Sequence, residues 1–124
     1  MSRKGKVMIA MQVIADAENT ARGKALFESH AGFMAETHHR EGELALLSYD
    51  VANGPEFVDP LAPEPTPSGR TIFLMVETYE SAAGVADHWR LGQEVWPDFG
   101  AMMAWLGTCD VTILHGSDVV HSLW

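Results

Sequence analysis

Apolar residues fall in four short blocks separated by two longer stretches of helical period. Val7–Ala15, VMIAMQVIA, is β-branched in part and apolar on both faces, which predicts a buried central strand. Asp16, Asn19 and Thr20 are candidate helix N-caps. From about Ala21 to Arg40 the period becomes helical. Leu26, Phe33 and Thr37 share one stripe, Phe27, Met34 and His38 lie beside it, and Lys24, Glu28 and Glu36 take the wet side. Gly42 suits a helix C-terminal turn. Leu44–Val51, LALLSYDV, alternates as a strand, with Ala45, Leu47, Tyr49 and Val51 on one face and Leu44, Leu46, Ser48 and Asp50 on the other. Apolar residues on both faces call for cover on both sides: a helix layer on one, a second subunit on the other.

Asn53–Gly69 carries Asn53-Gly54-Pro55 and the prolines Pro60, Pro63, Pro65 and Pro67. It predicts a loop, with a lid, a partner contact or a hairpin insertion all open. Thr71–Tyr79, TIFLMVETY, reads as a strand, and Ser81 caps a second helix running to about Gly92. Glu94–Leu106 predicts a turn at Trp96-Pro97 followed by a short helix. Cys109–His115 predicts the last strand, and residues 117–124 a tail that docks on the domain, with Trp124 as its anchor. The order is β-α-β-β-α-β plus a small helix. This is an α+β chain of the ferredoxin-like, split βαβ type with an antiparallel sheet.

The 124 residues suit one domain, 1–124, large enough to fold without staples. Seventeen acidic residues against eight basic ones give a net charge of −9, which argues against a nucleic-acid partner. The only cysteine, Cys109, excludes an intrachain disulfide framework and a Cys-rich zinc site, and makes the cytoplasm the simplest compartment. No signal peptide and no apolar run of membrane-spanning length is visible, so no membrane partner is expected.

The stretch Phe73–His88, FLMVETYESAAGVADH, resembles the antibiotic biosynthesis monooxygenase family, in the order Glu77, Tyr79, Ser81, His88. Arg40-Glu41-Gly42 followed by Leu47–Val51 is similar to the family's helix-to-strand junction. Trp96-Pro97-Asp98-Phe99 is similar to its short aromatic-bearing helix. The resemblance runs from Val7 to about Leu114. It implies a dimeric α/β barrel: a homodimer joined sheet to sheet, with a pocket between sheet and helices. It also implies oxygenation of a quinol-like or anthrone-like aromatic without metal or flavin. Two departures stand out. Tyr79 occupies a place where several of these oxygenases have Trp, and Asp98 stands near the position of the haem-ligating His in the haem-degrading branch. A carboxylate there disfavours haem degradation.

The candidate catalytic residues are His88, Tyr79 and Glu77. An imidazole at 88 can take a proton from a phenolic substrate, and the plainer reading is a histidine tying helix to sheet. Glu77 and Tyr79 share a strand face with Phe73 and Met75. An inward Glu77 needs a partner, and it either orients His88 or makes an interfacial hydrogen bond. Candidate ligand contacts are Tyr49, Trp96, Trp89, Phe33 and His38. With Phe99, Met102 and Met103 the tryptophans suit a flat apolar ligand, although such stripes are usually core. His30 and His38 are eight apart, too far for a chelating pair on one helix, so no metal and no cofactor are expected. Solvated or capping roles are the plainer reading for both. Cys109 has no base at a recognisable spacing. The expected ligands are a small aromatic or apolar molecule and, for an oxygenase, O2. A non-catalytic ligand-binding or structural dimer, and an isomerase or cyclase using the same pocket, remain open.

Overall fold

The computed structural model describes residues 2–124. Its elements are β1 (Val7–Ala15), α1 (Ala17–Thr37), β2 (Leu46–Phe57), β3 (Pro67–Tyr79), α2 (Ala82–Glu94), α3 (Phe99–Leu106) and β4 (Asp110–Asp118). The strands form one antiparallel sheet in the order β2-β3-β1-β4. This is the ferredoxin-like α+β arrangement that the periodicities predict.

Alternation sorts the sheet into two faces. Val7, Ile9, Met11 and Val13 pair across to Tyr79, Glu77, Met75 and Phe73, and all eight are buried toward the helices. Met8, Ala10, Ile14, Ile72, Leu74, Val76 and Leu114 point the other way. No described helix covers that second face, and Leu74 and Leu114 remain 44% and 50% exposed. No described helix is long and apolar enough to cross a membrane.

Four local expectations change. Helix α1 starts at Ala17, with Asp16 in the N-cap position, because its first turn is polar and shows no apolar period. In β2, Leu46 pairs with Tyr79 and Ser48 with Thr78, so Leu47 sits in a bulge. The extra residue flips the alternation: Leu46 faces the core with Tyr49 and Val51, where strict alternation puts Leu47 there. The Pro-rich loop shrinks to 58–66, because β2 and β3 extend as a two-stranded ribbon with Pro55 opposite Thr71 and Phe57 opposite Pro67. An edge strand and a ribbon end tolerate proline, since one side of the backbone has no ladder to complete. The tail docks by hydrogen bonds rather than through Trp124, with Ser122 Oγ accepting from the Arg3 N–H at 2.9 Å. Strand β4 runs on to Asp118, Val119 exchanges backbone hydrogen bonds with Gly5 and Lys6, and Leu123 and Trp124 are 77% and 91% exposed.

Gly23 sets how closely α1 approaches the sheet. A Cβ there would lie 2.2 Å from Trp105 Cζ2 and 2.9 Å from Phe73 Cζ. Those rings also pack with Phe27, so neither has room to retreat. Gly23→Ala should therefore destabilise the fold by roughly 1–3 kcal/mol in denaturant titrations, although alanine gains about 1 kcal/mol in an open helix. An unchanged midpoint would show that the α1–α3 contact is looser than this geometry.

Candidate active site

A cavity of about 450 Å³ opens between the sheet and helices α2 and α3. Met11, Met75 and Ile113 form its sheet wall. Trp89, Trp96, Phe99, Met102 and Met103 form its helix wall, and His115 lies at one side. Among the described residues, the other imidazoles on its surface are those of His30 and His88, both buried. An apolar box of this size with a few convergent polar groups suits one small, flat molecule.

His30 comes from the middle of the buried stripe of α1, between Leu26, Phe27, Phe33 and Met34. His88 comes from the buried face of α2, one turn beyond Val85 and Gly84. Behind them, on β3, Glu77 is fully buried between Met75 and Tyr79. Tyr79 Oη donates to Glu77 Oε1 at 2.5 Å, while Glu77 Oε2 is buried with no hydrogen-bond partner. Tyr49 reaches Glu77's side of the site from the paired strand, and its hydroxyl lies 2.8 Å from His30 Nδ1.

A chain of hydrogen bonds fixes the tautomer of His88. Thr37 Oγ1 donates to the Phe33 carbonyl at 2.8 Å, so toward His38 Nδ1, 3.0 Å away, it acts as acceptor. His38 is then protonated on Nδ1 and accepts at Nε2, where His88 Nδ1 donates across 2.9 Å. Glu77 Oε1 lies 3.5 Å from the same Nδ1. With Nδ1 committed as donor, neutral His88 carries its lone pair on Nε2.

Burial dominates the electrostatics. It pushes the Glu77 carboxyl up to about 7, against a smaller opposing effect of the Tyr79 hydrogen bond. Burial, reinforced by His38 and His30, lowers His88 to about 3; burial and His38 lower His30 to about 4. Burial also lowers His38 and raises the Tyr49 and Tyr79 hydroxyls. His30 and His88 are thus neutral near pH 7, and His88 keeps the lone pair of Nε2 outside the relay.

Of the residues singled out from sequence, Trp89, Trp96 and His88 line the cavity, and Glu77 and Tyr79 stand directly behind His88. Three expected ligand contacts lie one layer back. Phe33 stacks on Trp96, Tyr49 holds His30, and His38 holds His88. His30 is buried rather than solvated, and His38 is the C-cap of α1, its backbone N–H donating to the Met34 carbonyl, while its half-buried ring joins the relay. Their spacing along α1 excludes a chelate within that helix, yet donors of His30, Glu77 and His88, on three different elements, lie within 4.8 Å of one another. His30 had a legible signal, since it is four residues from both Leu26 and Met34 and three from Phe27 and Phe33. Met11 and Ile113 carried none, because nothing in their own strands tells which core residues border a cavity. Cys109 donates weakly to the Trp105 carbonyl and stays outside the site.

Neither a protein-family model nor a curated protein sequence matches the chain. Among solved structures it is similar to a dimeric ferredoxin-like protein from an uncultured marine organism, with 11% identity and a TM-score of 0.61. The match covers 95% of this chain and 99% of that one. The likeness supports the ferredoxin-like class of fold.

Proposed function

We propose that the protein is a small-molecule enzyme that binds a flat, hydroxyl-bearing aromatic of quinol or anthrone type and withdraws its proton through His88. The further step is cofactor-independent monooxygenation. The observation that carries this reading is a bare imidazole acceptor, held in one tautomer by His38, on the wall of a largely apolar cavity. Proton removal leaves an electron-rich anion. One electron passes from it to O2, and the resulting radical pair combines at a ring carbon. Loss of water from the peroxide leaves a carbonyl, so one oxygen atom enters the product and the other leaves as water. The four electrons that reduce O2 come from the substrate: a ring CH2 becomes C=O. Glu77, close to His88 Nδ1, stabilises the imidazolium while it holds the proton. Resemblance to antibiotic biosynthesis monooxygenases supports the oxygen step, and the cavity supports the substrate class. The lone thiol Cys109 fits a reducing compartment such as the cytoplasm.

Oxygen uptake with a panel of quinols and anthrones tests the reading, with one O2 consumed per product carbonyl expected. Proton exchange or rearrangement of the same compounds without oxygen uptake would make the protein an isomerase or cyclase. Binding without turnover would make it a carrier.

The same reading includes a homodimer joined through the outer sheet face. That face is apolar at Ile14, Ile72, Leu74, Val76 and Leu114, with Leu74 and Leu114 well exposed, and contiguous apolar surface of this kind marks an interaction site. Sedimentation at micromolar concentration should give a dimer, and Val76→Lys, at the centre of the face, should give a folded monomer. A monomeric wild-type chain would overturn the dimer.

A further inference from the structure

We propose that His30, Glu77 and His88 form a binding site for a divalent first-row transition-metal ion on the floor of the cavity. Two neutral imidazoles and one carboxylate are a donor set that such ions favour, and three protein ligands leave positions open toward the cavity. The three come from α1, β3 and α2, and one donor atom of each lies within 4.8 Å of the other two. An ion bonded at about 2.0–2.2 Å draws its donors closer than this, a movement of side-chain torsions alone.

Two further observations point to a cation. Glu77 Oε2 is buried without any hydrogen-bond partner, and an orphaned carboxylate oxygen in the interior calls for an ion or a water. Both rings are also held in place by a partner at Nδ1, as metal-ligating histidines commonly are by a partner at one ring nitrogen: Tyr49 Oη lies 2.8 Å from His30 Nδ1, and His38 Nε2 lies 2.9 Å from His88 Nδ1. The ion brings two positive charges against one carboxylate. The occupied site would keep a net positive charge facing an apolar cavity, which favours an anionic oxygen ligand such as a phenolate.

The proposal goes beyond the proton-transfer reading and does not rest on it. The ion and the proton compete for His88, so loading the site should suppress metal-free oxygen uptake, whereas binding itself is read without any substrate. The experiment uses chelator-treated full-length protein titrated with Zn2+ by calorimetry and with Co2+ by visible absorption. One equivalent per chain is expected, with a ligand-field band for Co2+. Glu77→Gln and His30→Ala should each weaken binding by more than about 100-fold. Tyr49→Phe, which keeps all three ligands and frees only the His30 ring, should weaken it about 10- to 100-fold. His39→Ala and His121→Ala, at exposed histidines elsewhere, should bind as wild type. Absence of stoichiometric binding would overturn the site. So would binding undiminished in both Glu77→Gln and Tyr49→Phe, or binding lost with His39 or His121. Metal binding together with no oxygen uptake by the metal-free protein would leave the site standing and remove the oxygenase reading.

Discussion

Replacing His88 by alanine is expected to lower turnover on a quinol substrate by roughly two to four orders of magnitude, the usual size of a general-base contribution. His88 offers its Nε2 lone pair at an apolar wall where water competes poorly for the substrate hydroxyl. The same residue ties α2 to the end of α1 through His38, so the variant should also melt several degrees lower. This partly buried hydrogen bond is worth about 1 kcal/mol. His38→Ala separates the two roles. It deletes the same hydrogen bond but leaves His88, whose Nδ1–H still has Glu77 Oε1 at 3.5 Å as an acceptor. That variant should lose comparable stability and less than about tenfold in rate. Equal losses of rate in both variants would mean that His88 acts only as a structural tie.

Glu77→Gln should stabilise the protein at alkaline pH while impairing activity. The folded state holds the Glu77 carboxyl near 7, against an ordinary value of 4.5. A group raised on folding binds protons more tightly in the folded chain. Its contribution is fully present below about pH 4.5 and is lost as pH rises through about 7. Above that, the fold carries a buried, half-satisfied carboxylate. Glutamine keeps the acceptor for Tyr79 and places a neutral N–H2 where the unpartnered oxygen lies. In the presence of a chelator, the variant should gain on the order of 3 kcal/mol over wild type at pH 8, a melting increase of roughly 10 °C, and almost nothing at pH 4.5. His30 and His88 work in the opposite sense. Lowered to about 4 and about 3, they contribute stability that is lost as pH falls below 6.5 through those values, so both proteins should unfold in acid. Equal stability of the two proteins at pH 8 would show that water reaches Glu77 and relieves its charge. A stabilised but inactive variant would identify Glu77 as a residue kept at the expense of the fold.

The pattern of apolar positions was enough for the element order, for the two-faced sheet and for the inward set Phe73, Met75, Glu77 and Tyr79. Those features follow from periods of 2 and 3.6, which any short window of sequence displays. Local reading failed where a neighbour decides the outcome. The bulge at Leu47 exists only relative to β3. Pro55 and Pro67 are acceptable in strands only because β2 is an edge and the ribbon beyond Thr71 has no third strand. The candidate site divides the same way. Trp96, Trp89 and His88 stood out by residue type and by place on a helix. The relay Thr37–His38–His88 and the cluster His30–Glu77–His88 join residues up to 58 positions apart. Spacing along one helix excludes a chelate within that helix and carries no information about donors that a sheet and two helices bring together. Residue periodicity specifies the layers, because burying one face of each element is a local demand. The chemistry depends on the assembled fold, because hydrogen-bond partners, the orphaned oxygen of Glu77 and the free lone pair of His88 arise only once three elements meet.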